Sequence, residues 1–273
     1  MQNKSNLIFI VILFFIPVFV MAGGDNRPTG SRSAALGNAS VGLSDLWSAF
    51  NNQAGLAHIE SITAGVYYEN RFTLKELGYK AAAVAYPLKT GTIGLSFNHF
   101  GYSAYNESKI GLAYAQGFGK YLSFGLQLDY NMARLAENYG NRNFITFEAG
   151  VMANITKELS LGVHVYNPIS AKFSEYNDER APVIFRVGAA YSISEKITLV
   201  AETEKNIDTE ASVNAGLEYK IMPTIHLRGG LSTRVSAFSF GAGFWLGDFT
   251  IDISTSYHNV LGYTPQAALS YKF

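Results

Sequence analysis

His99, His164, His226 and His258, with Asp252 and a scatter of serines, are the residues of this chain best suited to proton-transfer chemistry. A hydrolase would arrange such a set as nucleophile, base and orienting acid. The surrounding sequence does not support that use. The G-x-S-x-G turn that exposes a nucleophilic serine is absent, and so is the H-E-x-x-H spacing that sets two histidines on one helix face. There is no cysteine, which excludes disulfides, thiol catalysis and thiolate metal sites. It also excludes a lipid anchor on an N-terminal cysteine. Carboxylates such as Glu202 and Glu204 have a simpler reading, as partners of Arg186 or Arg228 on flanking strands. The expectation is a non-enzyme with no catalytic residue, metal or cofactor.

The elements that carry these residues point to a membrane. Lys+Arg 21 balances Asp+Glu 21, so there is no concentrated basic field and nucleic acid is not an expected partner. Charged residues make up 15% of the chain, against about 25% in soluble domains. Aromatics reach 14% and glycines number 26. That balance suits a β-rich protein facing lipid. Residues 1–22 carry one basic residue, Lys4, an apolar run over 7–20, and Val20-Met21-Ala22 before Gly23. The run is short of the roughly 20 residues of a spanning helix, and the pattern reads as a cleaved export signal.

From Ile62 onward apolar residues alternate with polar ones. Leu122, Phe124, Leu126, Leu128 and Tyr130 interleave with Ser123, Gly125, Gln127 and Asp129, so the two sets face opposite sides of a strand. Such windows predict about fourteen strands, near the length that membrane barrels use, at 62–71, 76–87, 92–102, 107–118, 121–134, 143–155, 159–167, 182–194, 197–206, 210–222, 224–232, 236–246, 249–259 and 264–273. Tight links such as Gly119-Lys120 and Gly247-Asp248 alternate with more polar, mostly longer ones, as on the two rims of an outer-membrane barrel. A soluble sheet of this length would have two edges to hide, and closure abolishes them. The predicted fold is therefore all-β: a transmembrane antiparallel barrel in the outer membrane of a Gram-negative bacterium, in contact with outer-membrane lipid. Its chain ends on alternating Ala267, Leu269, Tyr271 and Phe273. Tyrosines 67, 68, 86, 121, 166 and 257 lie near predicted strand ends and are expected to form an interfacial girdle.

With the apolar face on lipid, the polar face lines the lumen. Asp129, Glu148, Arg186, Glu202, Glu218, Arg228 and Asp252 are expected there, with His164 and Glu204, as a network of paired charges. Inner positions such as Gly94, Gly125, Gly162, Gly188 and Gly216 are small. About fourteen strands enclose more space than such a wall can fill. The stretch over residues 30–57 is rich in Gly, Ala, Ser and Asn, with a short helix expected only within 44–51. It is too small for a core of its own and is the natural occupant. The chain thus divides into a signal over 1–22, a lumenal plug segment over 23–61 and a barrel over 62–273.

The runs Ser33-Ala34-Ala35-Leu36-Gly37-Asn38-Ala39 and Ala49-Phe50-Asn51-Asn52-Gln53-Ala54-Gly55-Leu56-Ala57 resemble the N-terminal signature of FadL-like outer-membrane barrels, in particular the PorV/PorQ branch. Gln53 stands where that family usually has proline. The resemblance implies a plug carrying Leu36, Gly37, Leu46, Trp47, Phe50, Asn51, Asn52, Gln53 and Gly55. It also implies a role as an accessory barrel of type IX secretion that meets other outer-membrane secretion or assembly proteins. The alternative it implies is a FadL-like channel for a hydrophobic small-molecule ligand. The long link over 168–181, with Lys172, Phe173, Glu175, Tyr176 and Arg180, is the expected partner contact.

Overall fold

The computed structural model describes residues 26–135, 140–172, 179–234 and 238–273. Fourteen strands close on themselves: β1 (Thr63–Asn70), β2 (Gly78–Pro87), β3 (Thr92–Gly101), β4 (Tyr105–Phe118), β5 (Leu122–Leu135), β6 (Asn141–Asn154), β7 (Leu159–Tyr166), β8 (Ile184–Ser194), β9 (Ile197–Asn206), β10 (Ser212–Met222), β11 (Ile225–Ser232), β12 (Phe238–Leu246), β13 (Phe249–His258) and β14 (Gly262–Lys272). Every bound falls within two residues of its expected place. Each strand pairs antiparallel with its sequence neighbours, and β1 pairs with β14 from Thr63↔Lys272 to Glu69↔Gln266, which removes the last edge.

Period-two patterning fixes which face is which. Along β5, Leu122, Phe124, Leu126, Leu128 and Tyr130 are exposed, while Ser123, Gln127, Asp129 and Asn131 are buried. A slip of one residue would turn Asp129 and its neighbours into lipid, so the alternation holds the register. The apolar set continues around the barrel through Leu112, Val187, Val213, Leu231, Phe240 and Ile253. This exterior belongs against hydrocarbon rather than water.

Links at one rim are short, as at 195–196, 223–224 and 247–248. At the other rim the longest link spans 167–183. Within it Lys172 and Arg180 form an antiparallel bridge, whereas Phe173, Glu175 and Tyr176 lie outside the described residues, as does the signal over 1–22. The tyrosine expectation needs correction. Tyr68, Tyr86 and Tyr121 do face outward, but Tyr67 and Tyr166 are 3% and 2% exposed, on the inner face. Proximity to a strand end does not decide side; parity along the strand does.

Because the chain has no cysteine, a single introduced thiol reports orientation. A membrane-impermeant maleimide on intact cells should label Lys172→Cys and leave Lys120→Cys unlabelled; the reverse pattern inverts the barrel.

Candidate functional site

The N-terminal segment occupies the lumen. It holds a short helix α1 (Ser31–Ala35), a second, α2 (Ser48–Asn51), and a 3-10 turn over Gln53–His58. The expected helix within 44–51 is thus confined to its last turn, and α1 is an element the composition did not announce. The segment starts toward the long-link rim, where the Asn26 carbonyl accepts from Arg186 Nη2 and Thr29 Oγ1 lies 2.8 Å from the Tyr79 hydroxyl. It ends at the short-turn rim beside Ser123, whose hydroxyl is 3.4 Å from His58 Nε2. In between it meets the wall all round: Leu46 at Gly65, Leu56 at Gly94, Gln53 at Gly125, Val41 at Gly162 and Leu36 at Gly216. Only the interior of a closed barrel allows one segment to touch strands on every side.

Two turns depend on particular residues. Gly37 has φ +69, and a Cβ there would lie 2.3 Å from the Leu231 carbonyl oxygen, so both conformation and space call for glycine. At Asn52 the side chain accepts from Ala54 N at 3.2 Å and donates to the Val41 carbonyl at 2.7 Å. That caps the 3-10 turn and ties it to the preceding loop. Gln53, in the place proline usually takes, donates to Glu148 Oε2 at 2.7 Å, a bond no proline side chain could make.

One side of the segment is apolar. Leu46, Trp47, Phe50 and Leu56 are 3% exposed or less, packed with Tyr67, Tyr79 and the inward alanines 81, 83, 85, 113, 115 and 268. Trp47 sits edge-on to Tyr67 at 5.8 Å between ring centroids. Alanine at alternate positions of β2 leaves room for these larger groups, a period-two signal present in the sequence but not exploited there. Burial of Leu46, Phe50 and Leu56 contributes about 1.5–3 kcal/mol each.

The other sides carry three ion sets. Lys109 Nζ and His164 Nε2 reach Glu148 at 2.7 and 2.9 Å. Arg186 Nε donates to Glu204 Oε2 at 2.8 Å, and Arg234 also pairs with Glu204; Glu202 Oε2 accepts from the backbone N–H of Ser40 and Val41 at 2.7 and 2.8 Å. Arg32 forks onto Glu218 at 2.8 and 3.0 Å and meets Asp45 at 3.3 Å. Arg228 bridges Glu218 and Asp252 at 2.6 and 2.5 Å. Arg228 does not serve Glu202 or Glu204, contrary to expectation, because β11 lies beside β10 and β12, not β9.

All seven lumen-lining residues expected from sequence, Asp129, Glu148, Arg186, Glu202, Glu218, Arg228 and Asp252, are buried on the inner face. The expected plug residues Leu36, Gly37, Leu46, Trp47, Phe50, Asn51, Asn52, Gln53 and Gly55 all fall on the lumenal segment. The histidines do not assemble with Asp252. His164 is on Glu148, His99 Nδ1 is 2.9 Å from Ser108 Oγ, and Asp252 is taken by Arg228. Arg32 and Asp45 of the segment and Lys109 of the wall were not anticipated. A lone charge in a small-residue stretch announces no partner until the stretch is folded into the barrel.

Within β8–β10 a patch between the inner-face charges of Arg186, Glu202 and Glu218 is apolar on both faces. Outside, a groove of about 620 Å³ is lined by residues including Ala189, Tyr191, Leu199, Ala201, Leu217 and Phe240. Inside, Ala190 and Val200 pack on Leu36, Ala39 and Leu43 of the segment.

A closed fourteen-strand wall with an apolar belt, a polar lumen and short turns at one rim is an outer-membrane barrel of the kind Gram-negative bacteria carry. Its fold is similar to that of FadL-like transporters. The toluene transporter TbuX of Ralstonia pickettii superimposes with a TM-score of 0.68 at 11% identity, over 91% of this chain and 99% of that chain. The Pseudomonas putida toluene transporter TodX gives 0.67 at 11% identity, over 91% and 99%. A Pseudomonas aeruginosa FadL homologue gives 0.65 at 12% identity, over 92% and 100%. No protein-family model and no curated protein matches the chain.

Seating of the segment can be tested from either partner. Phe50→Ala should destabilise the packed state by about 3–5 kcal/mol and lower the temperature at which the folded barrel converts to its unfolded form on a semi-denaturing gel. Gly125→Leu should expel the segment, because the new Cβ would lie 2.3 Å from the Gln53 carbonyl carbon. Limited proteolysis should then cut within residues 30–57 of the variant and spare the parent.

Proposed function

We propose that this protein is a non-enzymatic conduit for small hydrophobic molecules across the outer membrane, with the N-terminal segment as its plug. The observation that carries the reading is the doubly apolar patch within β8–β10, set between the inner-face charges of Arg186, Glu202 and Glu218. Outer-face Ala201 and Ala215 lie across the sheet from inner-face Val200 and Gly216, where Leu36 and Leu43 pack. The other apolar stretch of the inner face, toward β1–β4, is filled by Trp47, Phe50 and Leu56, whereas this patch is backed by the outer groove and offers an apolar solute a compatible surface on both sides of the wall. The proteins of similar fold include toluene transporters, which supports this reading over a role in protein secretion. Neither the site geometry nor the toluene transporters of similar fold favour secretion partners.

The segment closes the axial route because its backbone and its buried anchors fill the lumen between the two rims. A hydrophobic ligand therefore meets the plug rather than an open pore, and ions meet a barrier. Deleting residues 30–57 should raise single-channel conductance in planar bilayers several-fold while leaving the barrel heat-modifiable; unchanged conductance would mean that the segment is not the plug. Cells producing the intact protein should accumulate labelled toluene faster than cells lacking it, and equal rates would overturn the conduit.

A further inference from the structure

The outward face of the wall changes character near the long-link rim of β2–β5. Ala82, Phe97, Ile110 and Tyr130 stand side by side across these strands and close the apolar belt there. The next outward positions toward the rim are Lys80, His99, Ser108 and Met132, again in one row. One step further, Asn106 and Arg134 lie opposite each other. Lys80 and Arg134 are exposed, and His99 and Ser108 are half-buried. Polar side chains just above an apolar belt sit at the level of lipid headgroups.

The protein does not neutralise this patch. His99 Nδ1 is 2.9 Å from Ser108 Oγ, and the charges that act on its ring are those of Lys80 and Arg134. Among the described residues no carboxylate pairs with either cation. On the inner face, by contrast, Lys109, Arg186 and Arg228 each lie within 2.8 Å of a carboxylate. Lys205, which points outward from β9 at the same rim, is engaged by the Thr209 carbonyl. Two cations held around one imidazole repel each other, and an external anion turns that repulsion into attraction.

The donors suit phosphate. Arg134 offers a planar fork, and Lys80 an ammonium on a flexible stem that reaches from the wall to the headgroups. With the Ser108 hydroxyl donating to Nδ1, the neutral His99 ring carries its proton on Nε2 and adds a third donor. Strands β2 and β5 are three spacings apart, about 14 Å, so the two cations can engage separate phosphates of one lipid. The rim with the longer links faces the cell surface in such barrels, which puts the patch in the outer leaflet.

We infer that the outward rim of β2–β5 binds the phosphate groups of an anionic outer-leaflet lipid. Lys80 and Arg134 are its cationic contacts, His99 is an added donor, and the acyl chains lie on Phe97, Ile110 and Tyr130. The site is outside the lumen and does not depend on what the barrel conducts.

Purified protein in phosphatidylcholine nanodiscs should take up lipid A, a bisphosphorylated lipid of that leaflet, and retain it in native mass spectrometry. The double variant Lys80→Gln/Arg134→Gln should bind it about thirtyfold more weakly, the effect of two cations at a lipid surface. Equal affinity would overturn the inference. Lys205→Gln should bind as the parent does; an equal loss there would mean general surface charge and no site. Lipid A stripped of its phosphates should bind the parent as weakly as intact lipid A binds the double variant, and full retention would overturn the phosphate assignment. Displacement by inorganic phosphate would replace the lipid with a free anion as occupant. A second measurement needs no variant: lipid A binding to the parent should weaken as salt is raised, and binding indifferent to salt would equally overturn the inference.

Discussion

Closure of the wall governs everything else in this molecule. Fourteen strands remove every sheet edge, but the lumen they enclose is wider than wall side chains can fill. The inner face makes the mismatch larger, with alanine at 81, 83 and 85 and glycine at 125, 162 and 216. Small residues are costly in a barrel that must stand alone and favourable in one built around an insert. The N-terminal segment is that insert. Its bulkiest groups, Trp47, Phe50 and Leu56, lie where the wall is smallest, so lumen and segment form one core divided between two stretches of chain.

Affinity and alignment within that core come from different interactions. The apolar anchors supply affinity, at about 1.5–3 kcal/mol per large side chain. The buried ion sets supply little net stability, because desolvation offsets most of their attraction. They do penalise misplacement heavily, since an uncompensated buried charge is far more costly than a paired one. Arg32 must find Glu218, and the Ser40–Val41 backbone must find Glu202. A segment displaced by one residue would strand these charges, so the wall carboxylates fix its register on the strands.

Much of the barrel could be read from the sequence, because a lipid-facing strand repeats one rule: apolar out, polar in, turn. Side-chain parity and strand bounds followed directly. The lumenal charges followed too, because a carboxylate such as Glu148 in an alternating strand has only one dry-free side to face. The pairing of those charges did not. Arg228 goes to Glu218 and Asp252, a choice made by strand adjacency and by depth along the barrel rather than by type. The segment's own folding was hidden for a related reason. Helix α1 has no cap hydrogen bond from a side chain and no acidic first turn, so its helicity comes from the wall around it and not from local propensity. Tyr67 and Tyr166 were misassigned because a tyrosine near a strand end can serve an interface or a core equally well.

The links bear on where control of the lumen must lie. At the long-link rim the spans over 102–104, 207–211 and 259–261 are short, too short to fold across a mouth of this width given the reach of an extended chain. The link over 71–77 is longer and folds as two 3-10 turns, Arg71–Thr73 and Lys75–Leu77, and the link over 167–183 is pinned near Asn167, whose side chain donates to the Ala181 and Pro182 carbonyls. The internal segment is joined covalently to the barrel at residue 63, at the short-turn rim, and is held elsewhere only by packing and hydrogen bonds. β1 itself is paired on both sides, with β2 and β14, so the closure of the wall does not depend on the chain before residue 63.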